Sequence, residues 1–245
     1  MNKVLSALAV AAALAVPQAA CAFVLGGTVP GKWGPPAFGT GATVTYSYMP
    51  TGTSCAGEAV GCSITALGAF GPAFSSWHTA IGAAFSAWSA VANIAFTEIA
   101  DPGTPEGGVG GGDIRIGGHV FDGPSGVLAH AFYPPSNGGT FAGDLHFDID
   151  ELWKTSFVGP GFDIFQVAAH EIGHSIGLDH TLVPASLMNA FYTEAFSGPQ
   201  ADDAAGAAFI YGRAVVNPTL PEPSTTALLG LALLGLTLAR RWRSK

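Results

Sequence analysis

The pattern of apolar and polar positions predicts both strands and helices along this chain. Residues 43–48 alternate β-branched or aromatic side chains with polar ones, as expected for a strand with one buried face. Short apolar segments predict four more strands, at 94–99, 113–116, 126–133 and 144–148. Between the first two strands, apolar side chains recur every three or four residues, which predicts one long helix. The residues of this apolar face are Phe74, Trp77, Ile81, Phe85, Trp88 and Val91.

Two further helices are predicted after the strands. One begins near Asp163, whose side chain can cap the first turn, and Gln166 three residues later completes a capping box. The other covers Ala201 to Ile210. The chain shows no internal repeat, and its 245 residues are enough for one domain with a sizeable core.

The first 22 residues have the pattern of a secretory signal peptide. Lys3 is their only charged residue, and a continuous apolar run covers 4–16. Cys21 raises lipidation as an alternative, but Gln18 stands where a lipid-attachment signal has an aliphatic residue. The sequence therefore predicts an exported protein whose mature chain begins after residue 22.

The last 25 residues predict a sorting or anchoring segment. After a linker at 216–220 come Pro221-Glu222-Pro223, an uncharged apolar run at 225–239 and a basic end. Such a run can enter the membrane, and the basic residues after it place its end in the cytoplasm. This tail resembles the PEP-CTERM sorting signal of Gram-negative bacteria, which implies recognition and removal by an exosortase. The alternative is a plain C-terminal membrane anchor.

The predicted mature region is strongly acidic. Residues 23–220 hold four basic and sixteen acidic residues, a net charge of −12, which argues against a nucleic acid partner. Several acids lie in one glycine-rich stretch and repel each other unless cations bind there: Asp122, Asp144, Asp148, Asp150 and Glu151. Cys55 and Cys62 lie in one short loop of an exported protein, so we expect a small disulfide between them.

A histidine motif in the second predicted helix carries the strongest chemical signal. The chain reads H-E-x-x-H-x-x-G-x-x-H, with its specified residues at His170, Glu171, His174, Gly177 and His180. His170 and His174, four apart, project from one helix face, and Gly177 can turn the chain back so that His180 becomes the third ligand. This set suits zinc with one open position for water, and Glu171 can take a proton from zinc-bound water.

Chance is the alternative reading of this motif. A bare H-E-x-x-H also occurs by accident on ordinary surface helices. The added Gly177 and His180, with Met188 eight residues beyond, make an accidental match improbable.

Together these features resemble the matrixins, the matrix-metalloproteinase branch of the metzincins, over Lys32 to Gly212. Thr181 after the third histidine suits the family, and the segments 121–132, 144–153 and 202–212 match its calcium loop, metal-binding segment and C-terminal helix. The resemblance implies a catalytic domain at 23–215 with a zincin-like α+β fold. That fold has a twisted, mostly parallel five-stranded sheet with an antiparallel edge strand, two long helices and a C-terminal helix.

The resemblance also implies a set of metal sites. His170, His174 and His180 would bind the catalytic zinc, Glu171 would be the general base, and Met188 would form a turn beneath the metal. One calcium ion would be held by the carboxylates of Asp122, Asp148 and Glu151 and the backbone oxygens of Gly123, Ser125 and Val127. Asp113 and Asp144 would serve a second calcium ion. A structural zinc would have His119, His130 and His146, but Phe121 stands where the family has an aspartate ligand.

The implied activity is that of a zinc metalloendopeptidase acting on extracellular or cell-surface polypeptides. The substrate would lie extended against the strand at 126–133, with Leu128 and Ala129 as backbone partners. Two alternatives stay open: a non-catalytic, metal-stabilised matrix or adhesion protein, and another class of zinc hydrolase. The expected location is outside the cell or at its surface, after a transient stay in the inner membrane. Asn189-Ala190-Phe191-Tyr192 lacks the proline usual in the family's specificity pocket, so the resemblance implies no substrate preference.

Overall fold

The structure, a computed structural model, describes residues 22–27, 31–69, 71 and 74–215. The expected linker and sorting tail, and nearly all of the expected signal peptide, lie outside these residues. The strands and α-helices of the described residues are, in chain order, β1 (Val24–Leu25), β2 (Ala42–Tyr48), α1 (Phe74–Val91), β3 (Ile94–Glu98), β4 (Ile114–His119), β5 (Ala129–Ala131), β6 (Leu145–Asp148), β7 (Trp153–Lys154), β8 (Phe162–Asp163), α2 (Ile164–Ser175), β9 (Leu178–Asp179) and α3 (Ala201–Tyr211). Across the described ranges, no helix has the length and apolarity needed to cross a membrane.

The predicted α+β fold is confirmed. The five-stranded sheet has the order β3-β2-β4-β6-β5, with parallel pairs throughout except for β5, which runs antiparallel to β6 at one edge. All residues of β6 and the first five of β4 are buried, as expected for strands covered on both faces, although Arg115, His146 and Asp148 among them are polar.

The predicted apolar face of α1 packs into the core. Trp77, Ile81 and Trp88 are fully buried. The indole N–H of Trp88 donates to the carbonyl oxygen of Ala169 in α2 at 2.8 Å, so a buried polar atom also fixes α1 against α2. Helix α2, which carries two of the motif histidines, is therefore held against a rigid layer.

Two strand predictions differ from the structure at their ends. The strand predicted at 126–133 is regular only in β5, because the Val127 amide donates to the Asp122 carboxylate at 3.1 Å and keeps the preceding residues in a loop. Ser125 in that loop has a φ of +67°. The strand predicted at 113–116 extends to His119, where β4 still pairs with β6.

Only one of the two hydrogen bonds of the predicted capping box of α2 is present. The Asp163 carboxylate accepts from the Gln166 amide at 2.9 Å, as expected for the cap. However, the Gln166 side chain accepts from the Gly198 amide at 2.9 Å, and the Asp163 amide donates to the Tyr192 hydroxyl. A tertiary contact has therefore replaced the reciprocal local bond.

The predicted disulfide between Cys55 and Cys62 is present, with their Cα atoms 4.9 Å apart. The chain just after the loop that it closes pairs with the sheet, because Thr65 and Gly118 in β4 exchange backbone hydrogen bonds of 2.7 and 3.2 Å. This contact places the disulfide loop beside the end of β4.

Candidate functional site

Helix α2 and the turn after it position the three motif histidines. His170 and His174 lie one helical turn apart on α2, which ends at Ser175. Gly177 has a φ of +107°, and its amide donates to the His174 carbonyl oxygen at 2.9 Å. A side chain would be strained at that φ, so the glycine lets the chain reverse through β9 and bring His180 back.

The Nε2 atoms of the three histidines converge. They are separated by 3.1 Å for His170 and His180, 3.1 Å for His174 and His170, and 3.2 Å for His174 and His180. Two nitrogens bound to one tetrahedral zinc at about 2.05 Å would be about 3.3 Å apart. The three nitrogens therefore fit a single zinc ion.

Backbone carbonyls orient two of these rings. His170 Nδ1 lies 2.7 Å from the Leu187 oxygen, and His174 Nδ1 lies 2.8 Å from the Leu178 oxygen. These oxygens assign the ring proton to Nδ1 and leave the Nε2 lone pair for a metal. Burial lowers the pKa of His170 to about 4 and that of His174 to about 3, so both rings are neutral ligands near pH 7.

The Glu171 carboxyl lies next to the first ligand and is 6% exposed. Burial raises its pKa to about 8 in the protein without metal. A divalent cation nearby favours the ionised form and lowers that pKa. Glu171 is therefore a desolvated, basic carboxylate beside the histidines.

Asp203 on α3 is a positioning residue that sequence reasoning did not identify. Its buried carboxylate accepts from the amides of Leu187 and Met188 at 2.7 and 3.0 Å, and the Ser186 hydroxyl also donates to it. These bonds hold the turn at Met188 beneath α2. Gly173 completes the contact, because a Cβ there would collide with the Met188 sulfur.

A cleft of about 420 Å³ opens beside the histidines. Its lining includes Leu128 and Ala129 at the start of β5 and residues 189–193 after Met188. The main lining residues are Leu128, Ala129, Val167, His170, Glu171, His180, Leu187 and Tyr192. A cleft of this size accommodates a side chain of an extended peptide.

A second histidine cluster lies on the sheet. His119 ends β4, and His130 of β5 is directly opposite His146 of β6. Glu58 from the disulfide loop joins them: its Oε2 lies 2.9 Å from His119 Nε2 and 3.1 Å from His130 Nε2, and its Oε1 lies 2.6 Å from His146 Nδ1. Phe121 stacks on the His130 ring with 4.6 Å between centroids. Sequence reasoning found the three histidines but not Glu58.

Comparison with known proteins bears directly on this arrangement. The family model described as Matrixin matches residues 73–212, more than half of the chain. The chain belongs to the matrixin family. A model of the PEP-CTERM protein-sorting motif matches residues 219–244 of this matrixin.

Individual relatives agree with this assignment. The matrixin is 45% identical to stromelysin-3 of Rattus norvegicus over 113 residues, which cover 45% of the chain and 22% of that protein. It is 55% identical to karilysin of Tannerella forsythia over 76 residues, which cover 31% of the chain and 16% of that protein. It is 46% identical to human neutrophil collagenase over 110 residues, covering 43% and 22%. The matched part thus spans about a fifth of these relatives' length.

The acids assigned to the first calcium ion lie around one loop of the matrixin. Glu151 Oε1 accepts from the Ser125 amide at 2.6 Å, and Asp122 accepts from Val127. Asp148 is fully buried, and its Oδ2 has no hydrogen-bond partner. Over residues 22–27, 31–69, 71 and 74–215, no set of three carboxylates here converges within 4.8 Å. The three acids are thus close to the same loop, but the carboxylates of Glu151 and Asp122 accept hydrogen bonds from its backbone amides.

The two acids assigned to a second calcium ion have different environments. The Asp113 carboxylate accepts from both the amide and the hydroxyl of Thr45 at 2.8 Å. Asp144 is buried, and burial raises its pKa to about 7. Its Oδ1 accepts from the Arg115 amide, whereas its Oδ2 lacks a partner. The carboxylate of Asp113 is thus engaged, and that of Asp144 retains one oxygen for a cation.

Proposed function

We propose that this matrixin is a zinc-dependent endopeptidase that hydrolyses peptide bonds of extracellular or cell-surface proteins. The observation that carries the proposal is the convergence of three histidine Nε2 atoms within 3.2 Å at an open cleft, beside the buried Glu171. A purely structural metal site needs neither an open cleft nor a basic carboxylate, which argues against the non-catalytic alternative.

His170, His174 and His180 would hold the zinc ion. When bound there, zinc supplies positive charge that acidifies a water molecule and polarises the scissile carbonyl. Glu171 takes the proton from the water and returns it to the leaving amine. Its burial favours this role, because desolvation makes the carboxylate a stronger base.

The β5 edge supports binding of an extended substrate by added backbone pairing. From sequence we expected Leu128 to bind the substrate backbone. However, the carbonyl oxygen of Leu128 already accepts from the Asp148 amide at 2.9 Å and is not free for a substrate. The Phe132 amide likewise donates to the carbonyl oxygen of Asp144, the residue before β6, at 2.9 Å. Since backbone groups alternate along a strand, those of Ala129 and Ala131 face away from β6 and are the better partners.

Hydrolysis of a peptide library tests the proposed activity. We expect the zinc-loaded wild-type chain to cleave a subset of peptides, and the Glu171→Ala variant to leave them intact. The name neutrophil collagenase indicates a protein substrate for that relative, so matrix proteins are suitable candidates here. Absence of cleavage by the zinc-loaded wild type would favour a metal-stabilised binding protein.

Calcium is the second proposed cofactor. One proposed site has the carboxylates of Asp122, Asp148 and Glu151. The other has those of Asp113 and Asp144. The net charge of −12 for residues 23–220 and the orphaned oxygens of Asp148 and Asp144 support bound cations. Calcium at about 100 times its Kd adds about 2.7 kcal/mol, which corresponds to roughly 5–10 °C in Tm for a domain of this size.

We expect a calcium-selective chelator to lower the Tm of the wild-type protein by roughly that amount. The double variant Asp148→Ala, Glu151→Ala should already melt low and should not respond to calcium. Asp150→Ala is the matched control, since Asp150 is exposed and lies between the two proposed ligands without being one. Differential scanning calorimetry with and without calcium decides it, and an unchanged wild-type Tm would remove the calcium proposal.

Export to the cell surface is the location that the sequence motifs support. The match at 219–244 to the PEP-CTERM protein-sorting motif suggests a sorting enzyme of the exosortase type as a partner. We expect the mature enzyme to end near Pro221, after transient attachment of the tail to the inner membrane. Intact-mass measurement on protein from the native host tests this; chains that still end at Lys245, found only in the inner membrane, would support a plain anchor.

A further inference from the structure

The cluster of Glu58 with His119, His130 and His146 lies outside the lining of the cleft. The family resemblance implies a structural zinc for the three histidines, and we infer that Glu58, from the disulfide loop, closes this site as the fourth ligand. This inference concerns a site separate from the catalytic histidines, so it does not depend on the proposed peptidase activity.

The four side chains offer a ligand set of the right kind and size. All four ligand atoms lie within 4.8 Å of one another, and the three nitrogen–oxygen separations are 2.6–3.1 Å. Ligand atoms of a tetrahedral zinc are about 3.3 Å apart, so these three contacts would lengthen by about 0.2 to 0.7 Å. Three imidazole nitrogens and one carboxylate oxygen suit zinc better than calcium, which prefers oxygen alone.

Several of these atoms are buried without a hydrogen-bond partner. They include His130 Nε2, Glu58 Oε1 and both ring nitrogens of His146, whose side chain is fully buried. His146 Nδ1 and Glu58 Oε1 are within ion-pair distance but do not have the geometry of a hydrogen bond. Buried polar atoms left in this way cost free energy, and a cation bound between them removes that cost.

The surroundings of the histidines also fit metal ligation. His119 Nδ1 lies 3.0 Å from the Val120 carbonyl oxygen, which leaves its Nε2 lone pair for a metal. His146 faces Glu58 with Nδ1 and the buried Glu106 with Nε2, at 3.2 Å. With Nδ1 on zinc, the opposite ring nitrogen carries a proton and donates to Glu106, as metal-bound histidines commonly do toward an outer carboxylate.

The disulfide loop holds Glu58 at this place. The Glu58 amide donates to the Cys55 carbonyl oxygen at 3.0 Å inside the turn that the Cys55–Cys62 bond closes. The chain that leaves this loop is in turn bonded to the sheet through Thr65 and Gly118. Phe121, which stands where the family's aspartate would be, packs on His130 instead, so the fourth ligand comes from a distant part of the chain.

A site with four protein ligands has no open position for water, and its role is structural. Zinc there would connect the loop of Glu58 to the strands β4, β5 and β6. Loss of the metal should therefore free the loop as well as weaken the sheet edge.

Metal content and affinity of Glu58→Gln test the inference. We expect two zinc ions per wild-type chain with separate dissociation constants by chelator competition, and we expect Glu58→Gln to weaken one of them at least about 100-fold. That is the upper end of the effect of losing an outer-shell partner, and Glu58 is a direct ligand. Glu98→Gln is the matched control, because Glu98 contacts one histidine, His78, at 2.7 Å outside the cluster. Two unchanged constants in Glu58→Gln would overturn the inference.

A measurement on the wild-type protein applies even if Glu58→Gln does not fold. Carbodiimide coupling of an amine to carboxylates, read by peptide mass spectrometry, should label Glu58 several-fold less in the fully zinc-loaded chain than after removal of the second zinc. Glu98 should be labelled equally in both states. Equal labelling of Glu58 in both states would show that its carboxylate does not bind the metal.

Discussion

Replacing Glu171 by alanine is expected to lower kcat/KM for peptide hydrolysis by at least about 100-fold, the usual scale for loss of a general base. The reason is that no other buried carboxylate lies among the residues that line the described cleft. The three histidine ligands are untouched, so the zinc content by elemental analysis should stay equal to that of the wild type.

The isosteric Glu171→Gln variant is the matched control for shape. It keeps the side-chain volume beside His170 but removes the base, so it should lose activity as Glu171→Ala does. Full activity in both zinc-loaded variants would refute the role of Glu171. A loss of zinc together with activity would instead assign Glu171 to metal retention.

Replacing Asp101 by asparagine is expected to lower the free energy of unfolding by about 3 kcal/mol. Asp101 and Arg115 form a buried ion pair, with side chains 1% and 4% exposed and bonds of 2.7 and 2.9 Å. Removing one partner of such a pair costs about 3–5 kcal/mol because the other charge stays buried. We expect the lower end, since the carboxyls of Asp144 and Glu106 also lie near Arg115.

The double variant Asp101→Asn, Arg115→Met is the control for this prediction. With both charges gone, the loss should be clearly smaller than for Asp101→Asn alone, because replacing a whole buried pair is often close to neutral. Urea unfolding at fixed zinc and calcium measures both variants. Equal losses in the two variants would show that the ion pair is not the cause.

The same pair predicts the direction of a pH effect. Burial alone would raise the pKa of Asp101, but the bonds from Arg115, the Gly103 amide and Ser47 lower it below its ordinary value. A lowered folded-state pKa gives stability that is present above the unfolded value of about 3.9 and is lost as the pH falls further. Asp101→Asn should therefore lose less stability on acidification than the wild type does.

The cluster of His170, His174 and His180 could be predicted from sequence because its geometry is local. His170 and His174 share a helix face because they are four residues apart. Gly177 and His180 follow three and six residues after His174. The apolar face of α1 was likewise predictable, since period and burial coincide along one helix. Such relations depend on backbone geometry over about ten residues and need no knowledge of distant contacts.

Predictions failed where another polar group competed for an expected backbone bond. The Gln166 side chain left the expected capping box because the Gly198 amide, 32 residues away, lies within reach. The strand at 126–133 shortened for a local reason, because the Asp122 carboxylate, five residues earlier, accepts from the Val127 amide. The first competitor could not be identified from the local pattern, whereas the second is a side chain of the preceding loop.

The sequence by itself determined the family and the α+β fold, because its motifs resemble those of the matrixins, and it determined that His170 and His174 share one helix face, because they are four residues apart. Only the tertiary structure decided which residues meet across the chain. Glu58 contacts His119 across 61 positions, Arg115 pairs with Asp101 across 14 positions, and Asp203 holds the turn at Met188. One acidic residue forms no pattern in the sequence from which its partner could be predicted. Its partner depends on strand register and loop closure, which are known only from the folded structure.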